Sequence, residues 1–449
     1  MISMRIILTI ARFEALILFR SWFFRIFSLI ALILLGLINY VIFVRLEAPW
    51  MYKGLPACIP YLNLLLLNVV QAVIAVFMAS DFLKYDRKLD TTDVVYMRSI
   101  TNADYVLGKI LGLLGVFAGL NLMVLIMALV FNVFFADLPV VPAAYLLYPL
   151  LISLPTLVFI FGLTFLLMVI VRNQALTFII LLGYIASTIF YLSGKFNNLF
   201  DYMAFQVPLM YSDFVGFGDL TPVLIHRGIY FLAGVGFIFF TVCLLRRLPQ
   251  SRVMNRVSLT LAVLSIAGAG VLVNSYIARL SGARALRGEM VALSKEAAGA
   301  PVVSLERCSL DLIHTDREIA VEAGLKFSNK TREAIDRYVF SLNPGLEVVR
   351  VIRDGGDIQF TRNLHILTVE PQQGALEPGA ADSLVISYRG GIDERACYLD
   401  ISEEAQAESY RFGLYKVDKR ACFIRPDYVL LTPENLWYPK PGVPEGAVY

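Results

Sequence analysis

The sequence predicts an α-helical membrane domain of six to seven transmembrane helices, followed by an antiparallel β-sandwich or β-sheet domain. Three observations support this fold class. Hydrophobic residues make up 58% of the 449-residue chain and charged residues 17%, whereas soluble proteins contain about 25% charged residues. Apolar stretches of about 20 residues occur only before residue 280, and polar–apolar alternation begins near residue 302. The net charge of +3 is too small to indicate a nucleic-acid partner.

Residues 1–23 have an amphipathic pattern that predicts a helix on the cytoplasmic membrane surface. Arg5, Arg12 and Arg20 fall on one helical stripe, and apolar residues such as Phe13 lie on the other side. Such a helix lies in the headgroup plane with its arginines toward the lipid phosphates. A cytoplasmic extension of the first span is the alternative.

The membrane domain, residues 24–278, contains seven apolar stretches long enough to cross a bilayer core of about 30 Å. Two prolines in the fourth stretch, Pro149 and Pro155, predict a bend there. The stretches are residues 24–44, 62–83, 107–134, 145–171, 175–194, 228–245 and 257–277.

Lysines and arginines are unequally distributed around these spans. Fourteen lie on the side of the amino terminus, whereas the short loops of the opposite side hold Arg45, Lys53, Lys195 and Arg227. Because cytoplasmic loops carry an excess of these residues, the amino terminus is predicted to be cytoplasmic. With an odd number of spans, the β-domain then lies outside.

Polar residues inside the spans are candidates for a substrate pathway, because they are costly in lipid. The candidates are Asn39, Asn68, Gln71 and Asn121. Asn68 and Gln71 are three residues apart and share a helix face. Hydrogen bonding between helices is the alternative, at about 0.6 kcal/mol per bond. We predict no charged residue deep in any span, which argues against a proton relay or an ion-coupled carrier.

The longest cytoplasmic connection runs from Lys84 to Lys109 and is dense in charged and aromatic residues. Thr91–Arg98 has a short helical pattern. A solvated loop is the alternative to a docking segment.

This connection, "KYDRKLDTTDVVYMRSITNADYVLGK", together with the preceding surface helix and first span, resembles ABC transporter permeases of the type-2 exporter class over about residues 1–250. The resemblance implies a coupling helix that docks on a separate cytosolic ATPase subunit, which would bind the ATP. It also implies a dimer of permease chains. The docking residues would be Tyr85, Asp86, Arg87, Thr91, Thr92 and Arg98, and Tyr105, Gly108 and Lys109 would re-enter the membrane.

Residues 279–301 are interpreted as a linker and residues 302–449 as a β-domain. Six stretches alternate polar and apolar residues and are bounded by turn signals such as Asn343-Pro344-Gly345, as antiparallel strands are. They begin at residues 304, 318, 337, 346, 365 and 383.

Three stretches of this domain, "FSLNPGLEVVRV", "LVISYRGGI" and "PDYVLLTPENLWYPKPG", resemble the amino-terminal β-domain of aminopeptidase N-type (gluzincin) zinc peptidases. They are more similar still to the version that bacterial proteins fuse to an ABC permease. The peptidase zinc site needs H-E-x-x-H, but the three histidines, His226, His314 and His365, are scattered. The cysteines also lack metal-ligand spacing. We therefore predict no metal site and no catalytic residue.

The leading hypothesis is the permease subunit of an ABC exporter in a bacterial cytoplasmic membrane, with a periplasmic β-domain. The chain lacks G-x-x-x-x-G-K-[ST], so we expect it not to bind ATP through a P-loop itself. The alternative is a membrane anchor for a periplasmic zinc aminopeptidase whose catalytic domain lies beyond Tyr449. A ligand sensor is a third hypothesis, but the cytoplasmic loops are too short to hold an output domain.

Overall fold

The computed structural model describes residues 4–45, 55–80, 100–136, 138–192, 195–212, 216–245, 252–371, 374–401 and 422–443. The chain divides into a helical unit, Met1–Ala278, and a β unit that begins at Arg279.

Long apolar helices build the helical unit, and some of them end in a π-helical turn. The first is α1, Met4–Arg20. Ser21 has an extended backbone conformation and separates α1 from the next helix. The others are α2 (Trp22–Tyr40, then Val41–Arg45), α3 (Cys58–Ser80), α4 (Asn102–Phe131, then Asn132–Ala136), α5 (Pro142–Tyr148), α6 (Leu154–Val171), α7 (Gln174–Ser187, then Thr188–Leu192), α8 (Leu220–Leu244) and α9 (Arg252–Ala297).

Seven helical segments of the described chain are long and apolar enough to cross a membrane, by length and composition. They are α2, α3, α4, α5 with α6, α7, α8 and α9, which confirms a helical domain with seven candidate spans. Helix α9 continues as far as Ala297, so most of the segment interpreted as a linker is helical.

The fourth span, where the prolines predict a bend, changes its helical geometry at the first of them. A π-helical turn, Pro149–Ser153, joins α5 to α6. Pro155 follows in the first turn of α6. Proline has no backbone N–H, so the carbonyl of Leu151, four residues earlier, receives no hydrogen bond from it.

Helix α8 begins at Leu220 rather than near residue 228, and this changes the position of one charged residue. The Asp219 side chain caps the helix by accepting a hydrogen bond from the Thr221 N–H at 3.0 Å. Arg227 therefore lies within α8 and is only 2% exposed. The prediction that Arg227 belongs to an outer loop was wrong, and this candidate span contains a buried charged residue that the sequence did not predict.

Glycines bring α6 and α8 into close contact. A Cβ atom at Gly234 would lie 2.6 Å from the Val158 carbonyl oxygen, so only glycine fits there without displacement. The packed aromatic rings of Phe117, Phe161 and Phe165 fill the core between α4 and α6. The close approach at Gly234 places the α8 side chains against the α6 backbone.

The β unit contains antiparallel sheets, as predicted. A five-stranded sheet has the order β1-β2-β8-β4-β5, a four-stranded sheet the order β11-β3-β7-β6, and β9 pairs with β10. The strands are β1 (Ser304–Thr315), β2 (Glu318–Ser328), β3 (Tyr338–Ser341), β4 (Leu346–Arg353), β5 (Gly356–Asp357), β6 (Phe360–Asn363), β7 (Ile366–Val369), β8 (Ala381–Gly390), β9 (Phe423–Arg425), β10 (Tyr428–Leu430) and β11 (Lys440–Pro441).

The core of the β unit lies between the two larger sheets. Strand β2 alternates buried and more exposed residues along its length, as expected for a strand with one buried face. Its buried Phe327 packs edge-on against Tyr338 of β3, with ring centroids 4.8 Å apart. All six strands predicted from the alternation pattern are present.

Candidate functional site

Most of the segment predicted to dock on an ATPase, residues 84–99, lies outside the described residues. This applies to all six predicted docking residues, Tyr85, Asp86, Arg87, Thr91, Thr92 and Arg98. The described chain resumes at Ile100, and α4 begins two residues later.

The start of α4 is fixed by a capping box. The Thr101 hydroxyl oxygen accepts a hydrogen bond from the Asp104 N–H at 3.1 Å, and the Asp104 carboxylate accepts one from the Thr101 N–H at 3.2 Å. This reciprocal pair satisfies two donors at the end of the helix. The Thr-x-x-Asp pattern is visible in the sequence, so the helix start could have been predicted from it.

Helix α1 packs directly on this first part of α4. A Cβ atom at Gly108 would lie 2.7 Å from the Ile10 side chain, and one at Gly112 would lie 2.7 Å from the Ala11 carbonyl oxygen. Between these glycines, Lys109 Nζ forms an ion pair with Glu14 Oε2 at 3.2 Å, and both side chains are largely buried. The end of the predicted docking segment is therefore held against α1 by close packing and by charge.

Asn39, the first predicted pathway residue, forms a separate pair with Asn63 of α3. Asn39 Nδ2 donates to Asn63 Oδ1 at 2.7 Å, and Asn63 Nδ2 donates to Asn39 Oδ1 at 2.9 Å. Each amide also donates to the carbonyl four residues earlier in its own helix. Both side chains are 1% exposed, so this pair joins α2 to α3.

The other three predicted pathway residues belong to one network. Gln71 Nε2 donates to Asn68 Oδ1 at 2.7 Å, and Asn121 Nδ2 donates to Gln71 Oε1 at 2.9 Å. The Ser153 hydroxyl donates to Asn121 Oδ1 at 2.6 Å, and Asn68 Nδ2 donates to Thr156 Oγ1 at 3.1 Å. None of the three amides is more than 4% exposed.

Arg227 extends this network from α8 to the interrupted fourth span. Its Nε donates to the Leu151 carbonyl at 2.7 Å, which is the carbonyl to which Pro155, four residues later, cannot donate. One terminal nitrogen donates to the Ile152 carbonyl at 3.0 Å and to Thr156 Oγ1 at 2.8 Å. The guanidinium thus supplies the Leu151 carbonyl with a donor that proline lacks. It is a second donor to the Ile152 carbonyl, which also accepts from the Thr156 hydroxyl at 2.9 Å.

The segment before α8 is attached to the same helices through its carbonyl groups. The second terminal nitrogen of Arg227 donates to the Tyr202 carbonyl at 2.9 Å. The Tyr230 hydroxyl donates to the Leu199 carbonyl, and the Tyr276 hydroxyl donates to the Asn197 carbonyl at 2.7 Å. Donors from α8 and α9 therefore fix residues 197–202.

The chemistry of this network favours positioning over proton transfer. Amides and hydroxyls do not titrate near neutral pH, and arginine keeps its proton in proteins. The sequence showed that Asn68 and Gln71 share a face. It did not reveal Ser153, Thr156 and Arg227 as their partners, because these residues come from distant parts of the chain.

The β unit contains one buried histidine. His365 is fully buried, and its Nε2 lies 2.8 Å from the Ser294 hydroxyl. Burial, with a smaller contribution from the nearby charge of Arg362, lowers the pKa of His365 to about 4. Within the described part of the chain, no three His, Cys, Asp or Glu side chains are placed to hold a metal ion.

Comparison with known proteins identifies no family for this chain. No protein-family model matches it, and no curated protein matches it. Solved structures of an M1 zinc metallopeptidase from Deinococcus radiodurans match at 19% identity and a TM-score of 0.19. The match to a mutant bound to a Tyr-Ser-Ala substrate covers 20% of this chain and 21% of that chain. The match to the enzyme without a mutation covers 21% of this chain and 22% of that chain.

A two-domain M1 zinc metallopeptidase mutant bound to L-tryptophan matches at 19% identity and a TM-score of 0.20. The chain spans about a fifth of the length of these solved structures, 21% to 22%. TM-scores this low do not establish a shared fold.

Proposed function

We propose that this chain is the membrane-spanning permease subunit of an ATP-binding-cassette exporter, driven by a separate cytosolic ATPase subunit that binds ATP. The packing of α1 on the start of α4 carries the proposal. The predicted docking segment leads directly into the capped end of α4, and Lys109 and Glu14 pair between the two helices. A displacement of that segment by the ATPase would therefore move α1 and α4 together.

The polar network is suited to positioning the helices. Arg227 donates to carbonyls and to a hydroxyl, and its guanidinium, like the amides of the network, is not a proton carrier near neutral pH. This supports an energy source outside the network. Each chain supplies one docking segment, so the functional unit would be two permease chains with two ATPase subunits, and a homodimer is the simplest form.

The proposal is tested by copurification. The tagged full chain is isolated from its native cells, and the bound material is assayed for a P-loop protein and for ATP hydrolysis. The wild-type chain is expected to bring down an ATPase whose activity it stimulates. The R87E/R98E variant should lose that subunit, because it reverses two charges of the predicted docking segment.

The matched control is R252E/R256E, which reverses two exposed arginines at the start of α9 on the same predicted side of the membrane. This variant should retain the ATPase. The comparison requires that both variants unfold at the wild-type temperature in detergent, which shows that both are folded. A wild-type chain that brings down no ATPase and stimulates no hydrolysis contradicts the proposal.

A further inference from the structure

Helix α1 carries three exposed arginines, and a fourth follows at the start of α2. Arg5, Arg12 and Arg20 are all exposed. At 100° per residue they lie within an arc of about 80° on one side of the helix. Arg25, exposed near the start of α2, donates from its Nε to the Phe19 carbonyl at 2.7 Å at the end of α1. We call these four residues the arginine face.

Within the part of the chain that the structure describes, the arginine face has no ion-pair partner. Glu14 is the one acidic residue of α1, and its carboxylate is paired with Lys109 of α4. Among the described residues, no ion pair involves Arg5, Arg12, Arg20 or Arg25. Within the described ranges, therefore, no carboxylate neutralises these four guanidinium groups, and their charge suits an anionic ligand.

Apolar side chains border the arginine face. Met4 is 68% exposed and Leu8 58% exposed along one edge of α1, and Phe13 is 65% exposed along the other. Trp22 follows, 74% exposed, with the Arg25 guanidinium 5.8 Å from its ring centre. Large apolar groups beside arginines, with a tryptophan at the boundary, are typical of a helix at the level of lipid headgroups. A soluble protein that contacted only the arginines would leave these apolar edges in water.

We propose that the arginine face binds the phosphates of anionic phospholipids, with the apolar edges inserted beside the acyl chains. The charges are complementary, since guanidinium groups form strong, often bidentate hydrogen bonds with phosphate. The opposite face of α1 is already buried on α4 at Gly108 and Gly112, so a bound lipid would hold the start of α4 at the membrane surface. This inference does not depend on what the chain transports or on its energy source.

The binding is tested on the purified full chain by lipid retention. The delipidated protein is incubated with equal amounts of phosphatidylglycerol and phosphatidylcholine, repurified, and the bound lipids are quantified by mass spectrometry. Each basic residue near an anionic surface contributes about fivefold in binding. The wild-type chain should therefore prefer phosphatidylglycerol about tenfold or more, and R5Q/R12Q/R20Q should retain the two lipids nearly equally.

Two further variants separate charge from folding. R5K/R12K/R20K keeps the charge and should keep the preference. R172Q/R252Q/R256Q removes three exposed arginines elsewhere on the same predicted side and should also keep it. In 1 M salt the wild-type preference should decline, because the screening length falls to about 3 Å.

A direct measurement uses Trp22 in a W50F/W437F chain. Brominated phosphatidylglycerol should quench Trp22 fluorescence more than brominated phosphatidylcholine does. Equal retention and equal quenching of the two lipids by the wild-type chain would overturn the proposal. It would also be overturned if R5Q/R12Q/R20Q kept its phosphatidylglycerol preference but lost a bound protein subunit, because the arginine face would then be a protein interface.

Discussion

Arg227 compensates for the backbone defect that Pro155 introduces in the fourth span. A buried carbonyl without a donor costs about 1–3 kcal/mol, and Arg227 supplies donors to three carbonyls and to Thr156. A buried arginine in an apolar helix is expensive by itself. Its position is explained by the acceptors that the interrupted helix exposes.

We expect R227M to lower the apparent free energy of unfolding of the helical unit by about 3 kcal/mol, because the buried Leu151 carbonyl loses its arginine donor and the Ile152 and Tyr202 carbonyls are left to share the Thr156 hydroxyl. R227K should have an intermediate effect, since lysine keeps the charge but lacks the planar fork. Thermal unfolding of the full chain in detergent measures both. R252M is the control, because Arg252 is exposed. If R227M and R252M unfold at the same temperature, the structural role of Arg227 is refuted.

His365 makes the stability of the β unit dependent on pH. Its pKa is about 4 in the folded unit against an ordinary value of 6.5. At a pH between these two values, His365 binds a proton in the unfolded chain but not in the folded unit. Folding stability is therefore fully present above pH 6.5 and falls as the pH drops toward 4, by roughly 3 kcal/mol in total.

We expect hydrogen exchange in β3 and β7 of the full chain, corrected for the intrinsic pH dependence, to accelerate between pH 7 and pH 5. H365Q should remove most of this dependence. H314Q should leave it unchanged, because His314 lies half-exposed on β1. The pKa of the Asp393 carboxyl is lowered from 3.8 by its hydrogen bonds with Arg395, although burial opposes this, so it titrates below the tested range. An unchanged pH dependence in H365Q would show that another group titrates.

At the scale of elements, the contact between α1 and α4 depends on two glycines of α4. Gly108 and Gly112 face α1 at distances that exclude a Cβ atom, whereas a Cβ atom at Gly115 would meet nothing within 4 Å. Gly115 therefore provides a matched position in the same helix.

We expect G112A to force α1 away from α4 and to lower the unfolding temperature of the helical unit. G115A should leave that temperature unchanged or raise it, because alanine favours a helix by up to about 1 kcal/mol over glycine. Thermal unfolding in detergent distinguishes the two variants. Similar losses in both would indicate a general intolerance of α4 to alanine rather than a specific contact.

Several elements could be predicted from local patterns, and others could not. The six strands with clear alternation were found, whereas the two-residue strands β5 and β11 are too short to show a period. The start of α8 was missed, because Leu220–Arg227 contains His226 and Arg227, which reduce the apolar signal of a span. Tertiary contacts compensate for that polarity.

At the scale of the whole molecule, the orientation of the β unit depends on the number of spans. Seven candidate spans and a cytoplasmic amino terminus predict that the β unit lies on the extracytoplasmic side of the membrane. We expect an epitope inserted at the Gly355-Gly356 turn to bind antibody on intact spheroplasts. An epitope at the amino terminus should bind only after the membrane is permeabilised. The reverse pattern would show that the charge distribution does not set the orientation.

The sequence by itself determined the helical and β parts, the number of candidate spans and most long strands, because these depend on composition and short periodic patterns. The tertiary structure decided which residues act together. Spacing along the chain placed Asn68 and Gln71 on one face, but only the folded helices bring them to Asn121 and Thr156. The partners of Lys109 and Arg227 were also decided by folding, since Glu14 and Leu151 lie far from them in sequence. Local propensity carries no information on which distant donor meets which acceptor.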